Sequence, residues 1–239
     1  MSRLLLSAAA LGLALAAAAP AAAQLRADKR ADLSVPVKLG TGQAAIIVGF
    51  RKPDSMSAGK SGTVAFSRYD REKRDAVFQP RDAKKNGDTT TYWVLARTAD
   101  KKQPLEYAVM LVSAGDYVML GAGPGPGGQV MNTFCLGAPT FRVNAGEVVY
   151  FGDLTPYINV KLEDGSRTNA MAYSSHADDA RKVLASQPDL AAVFRPAELF
   201  NEATYGCTGQ MMMAYKIPGI PALEPVAVSV AAAGQFSTP

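Results

Sequence analysis

The sequence predicts a mainly β protein, an antiparallel sandwich or open barrel with a short helical segment near residues 175–200. Three observations carry this. Ten or so short runs rich in β-branched and aromatic residues follow one another closely, divided by Gly, Pro, Asp or Lys clusters. No repeated strand-helix-strand rhythm, the mark of a parallel sheet, separates them. Only one stretch, after Tyr173, has the spacing of a good amphipathic helix.

The chain begins with a different kind of text. Residues 1–23 read as a secretory signal: Arg3, an apolar run from Leu4 to Ala19, then Pro20 and three alanines, with cleavage expected before Gln24. A sixteen-residue run spans about 24 Å as a helix, short of a hydrocarbon core of roughly 30 Å, so a cleaved signal rather than a transmembrane anchor is expected. The expected location is therefore the periplasm or the exterior. Residues 24–43 read as a flexible lead-in, 44–217 as the β-sandwich domain with its helical insertion at 175–200, and 218–239 as a Pro-rich C-terminal tail, since Pro argues against a central strand.

The strands are expected at Ala44–Arg51, Gly62–Ser67, Thr90–Thr98, Glu106–Val112, Asp116–Gly121, Gln129–Leu136, Thr140–Val143, Glu147–Leu154, Ile158–Glu163, Asn169–Tyr173 and Gly209–Ile217. Val112–Leu120 and Val143–Phe151 repeat one device: an apolar strand end, Ala-Gly-acid, and another apolar strand. Each reads as a tight turn closing a hairpin, with the Gly free to take positive φ. Asp116 and Glu147 are thus turn residues first; joint chemistry would require them close in space. Ser175-His176-Ala177-Asp178 resembles a capping box for a helix whose apolar stripe is Ala180, Val183 and Leu184. Gln187-Pro188 ends it, and further short turns are expected at Asp189–Phe194 and Pro196–Phe200.

Composition narrows the chemistry. The chain has 239 residues, one His and two Cys. A single imidazole excludes His-rich zinc sites and leaves any His-based catalysis to His176. His176 with Asp178 and Asp179 forms a candidate metal or acid–base cluster, although capping explains the two acids without a metal. No G-x-S-x-G elbow accompanies Ser174 or Ser175. Gly59-Lys60-Ser61 falls short of a phosphate-binding loop, because Asp54 stands where the first Gly belongs. Gly121–Gly128 reads as a connector. Met110, Met119, Met131, Met171 and Met211–Met213 suggest core filling before copper ligation, since neighbouring strand residues face opposite ways. No cofactor is expected.

Export favours pairing of Cys135 with Cys207, a bridge worth roughly 4 kcal/mol in the chain-entropy model. Charge is unevenly spread. Residues 26–102 hold 17 basic and 9 acidic groups, whereas 103–239 hold 7 and 12. The stretch 68–85 concentrates the basic residues: Arg68, Arg71, Lys73, Arg74, Arg81, Lys84 and Lys85, interleaved with four acids. A solvated excursion between strands is the ordinary account, and weak contact with anionic lipid or an acidic partner the functional one. Nucleic acid is not expected as a partner, because no binding motif accompanies the charge.

Ser113–Leu120 (SAGDYVML) and Phe141–Leu154 (FRVNAGEVVYFGDL) resemble stretches of uncharacterised bacterial exported and lipoprotein-like β-sandwich domains, in which an Ala-Gly or Pro-Gly turn and a Tyr-containing strand recur. The resemblance covers residues 44–175. It implies a sandwich at the cell envelope and carries over no catalytic residue. Together these readings point to a non-enzymatic binding or structural module of the envelope. The alternatives are an exported hydrolase or metal-dependent enzyme centred on His176, and a protein docking electrostatically through residues 68–85 to an anionic lipid surface or an acidic partner.

Overall fold

The computed structural model describes residues 29–52, 62–100, 102–124, 132–133, 136–161 and 164–204. Among the described residues twelve strands run in chain order: β1 Gln43–Arg51, β2 Gly62–Asp70, β3 Asp75–Val77, β4 Trp93–Arg97, β5 Leu105–Ser113, β6 Gly115–Pro124, β7 Asn132–Thr133, β8 Leu136–Val143, β9 Val148–Lys161, β10 Arg167–Ser174, β11 Phe194–Pro196 and β12 Phe200–Thr204. Helices α1 (Ala177–Lys182) and α2 (Pro188–Ala192) lie between β10 and β11. The expected signal, Gly59–Ser61, both cysteines, Met211–Met213 and the Pro-rich tail fall outside the described residues.

The strands form two sheets, as the predicted sandwich requires. One has the order β10-β9-β1-β5, with β11 also on β9. The other runs β12-β8-β6-β2-β3, with β4 beside β2 and β7 beside β6. The first sheet is mixed rather than antiparallel: β1 runs parallel to β9, and so does β11. Parallel neighbours need long connections: between β1 and β9 the chain passes through the other sheet instead of through a crossover helix, whereas between β9 and β11 it passes through β10 and the two short helices. That is why no helical rhythm betrayed the β1–β9 pair.

Between the sheets lies an apolar core built by alternation along each strand. Ala44, Ile46, Val48 and Phe50 of β1, Ala108, Met110 and Val112 of β5, and Val149, Phe151 and Leu154 of β9 meet Val64, Phe66, Tyr117, Met119, Phe141 and Val143 of the opposite sheet. Phe66 stands edge-on to Phe141 and Phe151 at 5.4 and 4.8 Å between ring centres, joining the two layers by the arrangement aromatic quadrupoles favour. Met110 and Met119 fill this core.

The first sheet is also covered on its outer face. Ala45, Ile47, Tyr107, Val109, Leu111, Val148 and Tyr150 pack with Ala180, Leu184 and Leu190 of the helical segment and with Phe194. Leu33, Val37 and Leu39 from the chain before β1 join them. Burial on both faces explains why β1 reads as an uninterrupted apolar run, Ala-Ala-Ile-Ile-Val. It also changes the picture of residues 29–42 within the expected flexible lead-in. Arg30 bridges to Met110, Ala31 N–H donates to Val109 O, and Leu111 N–H donates to Lys29 O, so this segment borders β5. Gln187, 5% exposed, donates from Nε2 to the Leu33 and Val35 carbonyls and accepts Val37 N–H on Oε1.

Local corrections follow from the same packing. The two Ala-Gly-acid segments are not hairpins. Each is a corner at which the chain leaves one sheet for the other, β5 to β6 and β8 to β9. The positive φ expected of the glycines is present, +149° at Gly115 and +79° at Gly146. The N-cap of α1 is His176 rather than Ser175, without a side-chain capping bond, and Asp178 and Asp179 occupy its first turn. The turn expected at Pro196–Phe200 is replaced by the end of β11 and the start of β12.

Candidate functional site

Both corners meet at one end of the sandwich, because both lean on the start of β1. Ala114 N–H donates to Gly42 O and Gly146 N–H to Gln43 O, each at 2.8 Å. The first corner is pinned by Tyr117, whose hydroxyl donates to Ser113 O at 2.6 Å, and by Arg68, whose Nη1 donates to Ala114 O at 2.6 Å. Gly115 makes that approach feasible, since a Cβ there would overlap the Arg68 guanidinium.

The two corner acids each organise arginines. Asp116 stands directly across from Arg142 in the β6–β8 register and accepts from its Nε and Nη2 at 3.0 and 2.7 Å, and from Arg71 Nε at 2.8 Å. Burial alone pushes the Asp116 carboxyl up, but the guanidiniums of Arg142 and Arg71 outweigh it and hold the group below its ordinary range. Glu147 accepts from Arg195 at 3.0 and 2.6 Å and from the Asn144 backbone and side chain at 3.0 Å. The hydrogen bonds from Arg195 bring its pKa down to about 2 despite partial burial. Arg195 Nη2 also donates to Arg142 O at 2.9 Å, so the acids belong to one network, linked through arginine rather than touching.

Around this network lies a groove of about 450 Å³ lined by Arg71, Arg142, Asn144, Arg195, Glu198 and Phe200. Its guanidiniums come from the β2–β3 turn, β8 and β11. The Arg71 guanidinium lies 5.5 Å from the centre of the Phe200 ring, a cation–π contact on the groove wall. Arg142 is the most open of the three, with 57% of its side chain exposed. A surface of this kind suits an anionic group attached to an apolar one, recognised by charge-assisted hydrogen bonds and by ring contact.

His176 lies elsewhere, at the edge of the outer face of the first sheet. Its carboxylate partner is Asp153, not Asp178 or Asp179: His176 Nδ1 is 2.9 Å from Asp153 Oδ2. Asp153 is fully buried and also accepts from Tyr150 OH at 2.6 Å and from Arg51 Nη2 at 2.8 Å. Two local features make room for it. A register shift between Ile47 and Val48 against β9 puts Tyr150 and Asp153 on the same face. Gly49 stands opposite both Asp153 and Tyr107, leaving open the volume a side chain would fill. Burial, aided by the Asp153 charge, pushes the Tyr107 hydroxyl well above its ordinary pKa. Burial, aided by the bond to Asp153, does the same for Tyr150.

This cluster clasps the helical segment to the sheet. His176 N–H donates to Tyr150 OH at 3.0 Å, and Arg51 Nη2 reaches Asp179 at 3.8 Å as well as Asp153. Ser174 Oγ lies 3.4 Å from the same Nδ1 that faces Asp153, whereas a serine relay needs Ser on one ring nitrogen and the acid on the other. Asp179 pairs with Lys182 Nζ at 2.9 Å. His176, Asp178 and Asp179 therefore do not assemble as one cluster.

The basic stretch divides in two. Arg68 and Arg71 are committed to the corners, and Lys73 pairs with Asp70 at 3.5 Å. Arg74 is exposed at the β2–β3 turn with φ +54°. Arg81, Lys84 and Lys85 are exposed on the excursion between β3 and β4. Sequence reasoning missed Arg142, Arg195 and Phe200, because only strand pairing brings them to Arg71; the repeated Ala-Gly-acid device was the available signal. The chain matches no family model and no curated protein.

Proposed function

We propose that the protein is an exported, non-enzymatic β-sandwich binding module of the cell envelope, whose groove at the two sheet corners takes a ligand carrying a carboxylate or phosphate beside an apolar portion. The supporting observation is the convergence of Arg71, Arg142 and Arg195 with the Phe200 ring around a space of about 450 Å³. Asp116 and Glu147 fix the arginines in place, so little side-chain entropy is lost when a ligand arrives. Arg142 is the principal contact, because it is the most exposed of the three and, among the described residues, its Nη1 has no partner once Nε and Nη2 have bound Asp116. Phenyl phosphate, titrated calorimetrically into the signal-free chain, is expected to bind, and Arg142→Gln to weaken it about ten-fold or more, the scale of one charge-assisted hydrogen bond. Equal affinity in that variant, with its fold verified by circular dichroism, overturns the assignment.

A further inference from the structure

The excursion between β3 and β4 is a second surface, separate from the groove. It is held by its own acids: Asp88 accepts from Thr90 N–H and Tyr92 OH at 2.8 and 2.6 Å, and Asp82 accepts from Asn86 Nδ2 at 3.1 Å. Backbone bonds from Asn86 N to Asp82 O and from Asp88 N to Ala83 O close the turn, and Ala83 is buried beneath it. Its carboxylates thus serve the loop's own hydrogen bonds, while Arg81, Lys84 and Lys85 extend outward without an ion-pair partner among the described residues.

Two large aromatic residues flank this basic turn where a folded chain ordinarily avoids them. Phe78 is 73% exposed and Trp93 44% exposed. They stand at the two feet of the excursion, and Ser67 brings those feet together: its Oγ lies 3.4 Å from Val77 O and 3.1 Å from Tyr92 O, the carbonyls just before Phe78 and Trp93.

We propose that this face docks on an anionic phospholipid bilayer, with Phe78 and Trp93 entering the interfacial layer and Arg81, Lys84 and Lys85 meeting the headgroups. Trp and Phe partition favourably into the boundary between headgroup and acyl chain, and nearby cations add attraction to anionic lipid. The two exposed aromatics stand at the feet of a hydrogen-bonded loop that carries three exposed cations, and this pairing of rings with unneutralised positive charge matches the interfacial layer and the headgroups of an anionic bilayer.

Trp93 is the chain's only tryptophan, so its emission reports insertion directly. The signal-free chain is mixed with vesicles of phosphatidylglycerol and phosphatidylcholine in equal parts, and with phosphatidylcholine alone. Co-sedimentation with the anionic vesicles, a blue shift of tryptophan emission, and weakening by salt are expected. Lys84→Glu with Lys85→Glu should lower the apparent affinity at low salt about ten-fold or more. Phe78→Ser, at an exposed position, should keep the native circular dichroism spectrum and lose most of the blue shift. The proposal is overturned by no sedimentation, by equal binding to both vesicle types, or by sedimentation with unchanged emission. Soluble polyglutamate competing as strongly as the vesicles, without a spectral shift, overturns it in favour of an acidic protein partner. Arg142→Gln tests the groove separately, so either reading can fail alone.

Discussion

Gly49 and Asp153 show how one missing side chain shapes a neighbourhood. The Asp153 carboxylate is buried, yet it has Tyr150, His176 and Arg51 as partners, and the space above Gly49 is what lets them converge. An isolated buried carboxylate is strongly unfavourable, whereas one with several donors is tolerated. Gly49→Ala would drive a methyl group into Asp153 and the Tyr107 ring. It should lower unfolding free energy by about 3 kcal/mol in urea titrations, from overpacking and the disturbed charge together. Gly42→Ala, at φ +73° with open space around the new methyl, should cost only about 1 kcal/mol. Equal effects at the two sites would contradict the role given to the close approach at Gly49. From the text alone Gly49 is merely a small residue within an apolar strand; its meaning depends on β5 and β9 lying on either side.

At the scale of elements, the helical segment is held less by its own helices than by what it clasps. The helices α1 and α2 have only 6 and 5 residues, too few to be stable alone. Their stability comes from packing Ala180, Leu184 and Leu190 on the first sheet and from Gln187, which pairs with three backbone groups of residues 33–37 as a strand would. Gln187→Ala removes the partner of Val35 O and Val37 N–H, while Leu33 O keeps Ser186 Oγ at 3.4 Å. The expected result is a loss of about 2 kcal/mol and faster amide exchange at Val37, seen by hydrogen–deuterium exchange. Unchanged exchange at Val37 would show that apolar contact alone holds the segment. Gln187-Pro188 reads in the sequence as the end of a helix, but α1 stops at Lys182 and Gln187 is the N-cap of α2; nothing local marks it as the anchor of a segment 150 residues earlier. Likewise runs of β-branched and aromatic residues announced the longer strands but not the short β3, β11 and β12, while the corners at Gly115 and Gly146 were indistinguishable from hairpin turns. Local φ preferences are the same for both, and only the destination of the next strand differs.

For the whole molecule, the corner acids tie stability to pH. Glu147 titrates at about 2 when folded, against an ordinary 4.5. Between these values the unfolded chain binds the proton more readily than the folded one, so stability is fully present above about 4.5 and declines as pH falls toward 2. The group is partly solvated, which reduces the contribution to about 1 kcal/mol. Asp116, also held low by its arginines, acts with the same sign. Thermal midpoints between pH 2 and 6 should fall with acid, and Glu147→Gln should flatten that fall; an unaltered slope would place the acid sensitivity elsewhere.

The sequence by itself determined the mainly β class, most strand positions, the helical segment near 175–200 and the concentration of cations in residues 68–85. These follow from near-neighbour periodicity, from Gly and Pro chemistry, and from composition, all of which act over a few residues. Tertiary structure alone decided that β1 lies parallel to β9, that Asp153 rather than Asp178 or Asp179 meets His176, and that Arg142 and Arg195 join Arg71 in one groove. Each of these joins residues 23 to 124 positions apart. Such pairings are selected by burial of sheet faces and by register across strands, energies that belong to the assembled layers and to no single stretch of chain.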